Sequence, residues 1–94
     1  MSKFEIADKS TEQSLTWYDA EKYVESLGNN WRLPTKEELN QIYQSENDFD
    51  ALGYWSGSES VKNGVWVQFF KNGFQDYYIK SYTCLVRPVR TLTA

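Results

Sequence analysis

The chain has 94 residues, 40% of them hydrophobic and 17% aromatic, with a net charge of −3. Those values describe one small folded domain over 1–94 rather than a disordered chain. The acidic balance speaks against nucleic acid, whose phosphates call for a basic face, and against a polybasic membrane anchor. No apolar run approaches the ~20 residues that a membrane-spanning helix requires. The opening "MSKFEIADKS" lacks the apolar core of a secretory signal. Cys84 is the single cysteine, so no internal disulfide forms and a cytoplasmic setting is expected.

In chain order, residues 1–14 read as a lead-in with a strand around Lys3 to Ala7. The two-helix part, 16–45, follows. Thr16 is a good N-cap with Asp19 three residues on. Trp17, Ala20, Val24 and Leu27 share one helical face, and Gly28 supplies the left-handed stop. The stretch "WRLPTKEEL" opens a second helix: Thr35 and Glu38 form a T-x-x-E capping box, and Pro34 keeps the entry extended. Leu39, Ile42 and Tyr43 make its buried stripe. From Tyr54 the texture is β, and 54–90 is expected to form antiparallel strands. "VWVQFF" (65–70) and "FQDYYIKSY" (74–82) flank "KNG", a hairpin signal with Gly73 in the left-handed region. "CLVRPVR" (84–90) reads as the last strand, with Pro88 marking an edge or bulge. The fold class is α+β: two helices packed on a small twisted antiparallel sheet.

The ordered series "LTWYDAEKYVESLGNNWRLPTKEEL", "YWSGSE", "VWVQFFKNG" and "LVRPVR" resembles the bacterial Lcl C-terminal domain family from about Leu15 to Arg90. It is also similar to the wider C-type-lectin-like group, which includes formylglycine-generating enzymes and the receptor-binding proteins of diversity-generating retroelements. The resemblance implies a C-type-lectin-like arrangement in which the C-terminal strands and loops carry the ligand contacts. In that frame Trp31 and Leu33 are expected in the core. Arg32 and Arg87 are expected to be structural, with Arg32 reaching a carboxylate or backbone carbonyls.

Catalysis finds little support. The chain has no histidine, the commonest general base and metal ligand, so Ser/His/Asp and Cys/His arrangements are impossible. The formylglycine-generating relatives use a cysteine pair, whereas Cys84 is alone in an apolar strand. Glu46, Asp48 and Asp50 faintly resemble a calcium loop, but Ala51 and Gly57 stand where an EF-hand needs glycine and a carboxylate. The Glu-Pro-Asn and Trp-Asn-Asp signatures of calcium-dependent lectins do not occur. No enzyme, metal or cofactor is therefore expected.

What remains is an aromatic surface. The family pattern turns Trp66 and Phe70 inward, with Gln68 between them, and sends Val65, Val67 and Phe69 to the opposite face. Either Tyr77 or Tyr78 must reach solvent, because neighbours in a strand alternate. Tyrosine-rich strands offer rigid area with hydrogen-bonding tips. The candidate contact residues are Ser58, Glu59, Lys62, Val67, Phe69, Lys71, Tyr77, Tyr78, Lys80 and Tyr82. The competing expectation is a second packing layer covered by the same aromatics. The leading expectation is a non-catalytic module binding a host or cognate protein, in the manner of a phage- or mobile-element-encoded accessory factor. Metal-independent glycan or polyanion binding, helped by Lys62, Lys71 and Lys80, is the alternative; a formylglycine-type enzyme comes last. A symmetric homodimer stays open.

Overall fold

The computed structural model describes residues 4–45, 48–60 and 64–92. Among them the chain runs β1 (Phe4–Ile6), a 3-10 turn, β2 (Gln13–Thr16), α1 (Trp17–Ser26), α2 (Lys36–Ser45), β3 (Gly53–Glu59), β4 (Gly64–Phe69), β5 (Gln75–Ile79), β6 (Thr83–Val86) and β7 (Val89–Thr91). The α+β class holds. The sheet, however, is mixed rather than purely antiparallel. The five-stranded sheet has the order β2-β6-β3-β4-β5, with β3 and β6 parallel, and β1 pairs with β7 in a separate two-stranded sheet.

Both helix starts follow their local chemistry. The Asp19 amide donates to the Thr16 hydroxyl at 3.3 Å. At α2 the capping box is reciprocal: the Glu38 amide donates to Thr35 Oγ1 at 3.0 Å, and the Thr35 amide donates to Glu38 Oε1 at 2.8 Å. Such a cap is worth about 1 kcal/mol. Gly28 ends α1 at φ +69°, and Asn29 and Asn30 continue in the left-handed region. Gly73 sits at φ +80° in the β4–β5 turn, and any side chain there would meet the Tyr43 ring.

The two helices cover opposite faces of the sheet. On one face, Ala20 and Val24 of α1 close over Trp55, Val65, Val67, Cys84 and Val86. On the other, Leu39 and Ile42 of α2 pack with Tyr54 and Val89, and Phe49, Phe70 and Leu85 complete the layer. Each fully buried large side chain contributes about 1.5–3 kcal/mol. Buried rings also place their polar ends. The indole N–H of Trp55 donates to Leu15 O at 2.8 Å, that of Trp17 to Ser56 O at 3.1 Å, and the Tyr23 hydroxyl to Thr11 O at 2.7 Å.

Three expectations need correction. β4 has no exposed face: Val65 and Val67 are 0% and 1% exposed beneath α1, and Gln68 is fully buried on the α2 side. Val67 therefore cannot contact a partner. "CLVRPVR" is two strands, because the chain turns at Arg87 and Pro88 and passes from the large sheet to the small one. Trp31 lies half-buried with the Arg90 guanidinium 4.6 Å above its ring, so Leu33 alone of that pair is core. The lead-in, too, holds β2, an edge of the large sheet that local pattern did not reveal.

Arginines tie the elements together. Arg32 grips Glu38 with two bonds of 2.8 and 2.9 Å and also donates to Leu33 O. Arg87, 4% exposed, donates to Ala7 O at 2.7 Å, to Glu12 at 2.6 Å and to both Asp48 oxygens at 3.1 and 3.2 Å. Its guanidinium carbon lies 4.4 Å from the centroid of the Phe49 ring. Removing one partner of such a pair leaves the other charge buried and uncompensated. Arg87→Ala is therefore expected to cost about 3–5 kcal/mol, and an unchanged thermal melt would refute this. Burial opposes ionisation of Glu38, but the Arg32 and Thr35 hydrogen bonds outweigh it and hold the carboxyl below its ordinary 4.5. With a lowered folded value, this stabilisation is complete above pH 4.5 and fades as pH falls through the folded value. Glu38→Gln should flatten that acid limb of the melting-temperature profile; an unaltered profile would place the acid sensitivity elsewhere.

Candidate binding cleft

Beyond the reach of α1, its face of the sheet carries an open cleft of about 350 Å³. Four large apolar side chains wall it: Leu52 from the approach to β3, Phe69 at the end of β4, Phe74 at the turn and Tyr78 from β5. The sheet register explains the convergence. Val65 faces Tyr78 and Val67 faces Asp76, so Tyr78 and Asp76 point to the same side as the α1 core. Gly53 faces Phe69 across β3 and β4, and a Cβ there would lie 2.8 Å from Val67 and 3.0 Å from Phe69. Glycine at 53 thus lets the floor of the cleft lie flat.

The cleft is apolar with a polar rim. Lys71, exposed at the turn, makes no ion pair with a described residue. Asn72 turns its side-chain oxygen back to the Phe74 amide at 3.0 Å. Asp76 accepts the Tyr77 amide at 2.8 Å. Phe74 is 59% and Leu52 58% exposed, a high value for side chains of this size. Phe69 and Tyr82 each pack edge-on against Tyr78, with centroids 5.7 and 5.2 Å away, which extends the aromatic surface past the cleft. Burial, then the neighbouring Cys84 and Asp76, raise the Tyr78 phenol above its ordinary 10. At neutral pH it is a hydrogen-bond donor, not a charge.

The ten expected contact residues do not form one surface. Phe69, Lys71 and Tyr78 line the cleft, and Tyr82 adjoins it. Tyr77 is 51% exposed but lies on the other face, its ring 5.5 Å from Trp66. Ser58 is occupied structurally: its hydroxyl accepts the Lys36 amide at 2.9 Å, in the first turn of α2. Glu59 and Lys80 pair at 2.7 Å, and the Lys80 ammonium lies 4.7 Å from the Trp17 ring centroid. The hydrogen bond to Glu59 raises the Lys80 pKa, so this lysine is committed rather than free. Lys62 lies outside the described residues. A joint lysine patch is therefore not what the described lysines form. Leu52, Phe74 and Asp76 were not among the expected contacts. Phe74 and Asp76 had a legible signal, since they alternate with Tyr78 in "FQDYYIKSY"; Leu52 had none.

Two chemical candidates are absorbed by the fold. Asp48 and Asp50 engage Arg87 and Lys9, at 3.1 and 3.4 Å, and Glu46 lies outside the described residues. Cys84 is buried, and burial pushes its thiol up to about 11. A thiol so raised is a poor nucleophile near neutrality. Iodoacetamide at pH 8 should leave native Cys84 unlabelled and label it fully in denaturant; rapid native labelling would reopen thiol chemistry.

No helix among the described residues is long and apolar enough to cross a membrane. The family model of the Lcl C-terminal domain matches residues 3–90, and the chain belongs to that family. No curated protein matches the chain.

Proposed function

We propose that this domain is a non-catalytic binding module that recognises a protein partner by taking an apolar side chain into the cleft of Leu52, Phe69, Phe74 and Tyr78. The observation that carries the reading is a folded domain leaving Phe74 and Leu52 more than half exposed around a 350 Å³ cleft. That volume suits one or two large apolar side chains, with Lys71, the Tyr78 hydroxyl and Asp76 placed to orient the flanking main chain. The C-type-lectin-like architecture and a cytoplasmic setting belong to the same reading. Glycan stacking on Phe74 and Tyr78 is the second reading, favoured by the polar rim.

Displayed linear peptides and an immobilised glycan panel, screened side by side, separate the two. The expected result is enrichment of peptides with an aromatic or aliphatic anchor, in binding that persists at high salt because an apolar contact is not screened. Phe74→Ala should reduce that binding at least tenfold while changing stability by less than about 0.5 kcal/mol, as befits an exposed side chain. Retention on glycans alone would transfer the cleft to the second reading. Binding indifferent to Phe74→Ala would remove the cleft from function.

A further inference from the structure

The outer edge of β5 raises a question separate from the cleft. Among the described residues nothing pairs with it. The Phe69 amide donates to Phe74 O at 2.8 Å, which makes those two a hydrogen-bonded pair. Counting along the antiparallel register from there, Val67–Asp76 and Val65–Tyr78 are also hydrogen-bonded pairs. The amides and carbonyls of Gln75, Tyr77 and Ile79 must then point outward.

Natural edges are usually blunted by proline, lysine, a bulge or a covering loop. Gln75–Ile79 contains neither proline nor lysine, and the register shift of the sheet lies in β3 instead. The opposite edge differs, because β2 leads directly into α1. Two of these outward groups are already engaged: the Asp76 carboxylate satisfies the Tyr77 amide at 2.8 Å, and the Ile79 carbonyl accepts the Tyr82 amide at 3.1 Å. The first is the guard of the strand, a single exposed hydrogen bond at its centre, and the Ile79 oxygen keeps a second lone pair.

We infer that β5 is a homodimerisation edge, pairing antiparallel with β5 of a second copy about a two-fold axis through Tyr77. The strand is its own complement. With Tyr77 opposite itself, Gln75 falls opposite Ile79 and Asp76 opposite Tyr78, so no two like charges meet. All three outward-facing residues fall in hydrogen-bonded positions in this one register. Pairing would also cover apolar surface now in water, since Tyr77, packed against Trp66, and Ile79 are each 51% exposed. Because residues directly opposite in a sheet share a face, the two clefts would lie on the same side of one continuous sheet. Each cleft would then have the partner's Tyr78 beside its own Asp76. Asp76 becomes the gate: it must release the Tyr77 amide before the second strand can dock.

Light scattering coupled to size exclusion, backed by sedimentation equilibrium from 10 µM to 1 mM, tests this on the full chain. A concentration-dependent dimer is expected. Tyr77→Lys should weaken it at least tenfold, because position 77 opposes itself and two ammonium groups would meet. Mixing Tyr77→Lys with Tyr77→Glu should restore a heterodimer, which neither variant forms alone. Asp76→Ala, lacking the guard, should dimerise severalfold more tightly than the parent. A monomer at 1 mM for both the parent and Asp76→Ala would overturn the proposal. So would a dimer that survives Tyr77→Lys, or one that charge-swapped mixing fails to restore. Circular dichroism melts of each variant separate misfolding from lost pairing. Phe74→Ala, which alters the cleft but not the self-opposed position, distinguishes failure of the cleft reading from failure of this one.

Discussion

Glu12 and Arg87 form the charge pair on which the rest of the architecture leans. They are 75 residues apart in sequence and 2.6 Å apart in space, with side chains 9% and 4% exposed. Desolvating two charges is expensive, and their attraction offsets this only when the remaining valences are also filled. Here they are. Arg87 spends its other donors on Ala7 O and Asp48, while Glu12 also accepts the Tyr54 hydroxyl at 2.8 Å. That hydroxyl in turn accepts the Asp50 amide at 2.9 Å. One network thus binds the first strand segment, the loop after α2, the start of β3 and the β6–β7 turn. It carries the chain from the large sheet to the small one at a point where Pro88 supplies no amide to a ladder.

Arg32 plays a parallel part at the helix corner. Its fork holds Glu38, which is already bound to the Thr35 amide, so a local cap and a tertiary ion pair share one carboxylate. The Arg32 backbone exchanges two hydrogen bonds with Val89, at 2.8 and 2.9 Å. Glu38 can be buried inside α2 because both of these demands are met at once. The "WRLPT" stretch is therefore a joint between α2 and β7, and its role is architectural.

Legibility in the sequence tracked the range of the interaction. The capping box at Thr35, the stop at Gly28 and the Gly73 turn rest on contacts within a few residues, and local pattern reveals them. β2 was missed because "QSLT" has neither length nor alternation; it is a strand through its register with β6. Val67 was misassigned for a topological reason. A strand with β3 on one side, β5 on the other and a helix over each face has no outward side, and "VWVQFF" reads the same whether one face or two are covered. Within the cleft, Phe69, Lys71 and Tyr78 were legible as members of an aromatic hairpin. Leu52 was not, since its place beside them depends on where the loop after α2 rejoins the sheet.

The polar ends of the aromatic side chains sort structural rings from available ones. Trp17, Trp55, Tyr23 and Tyr54 all place an N–H or O–H on a partner elsewhere in the fold, so their rings are fixed at both ends. The hydroxyls of Tyr77, Tyr78 and Tyr82 bond to no described residue, yet their rings are held by edge-on contacts with Trp66, Phe69 and one another. Rings already immobilised, with donors still unspent, give up little entropy on binding and have hydrogen bonds left to offer. A buried Tyr54 serves the fold because its hydroxyl is consumed. A half-buried Tyr78 is suited to a ligand because its hydroxyl is not. By the same reasoning, the surface around β5 is where this small acidic domain keeps its unspent interactions.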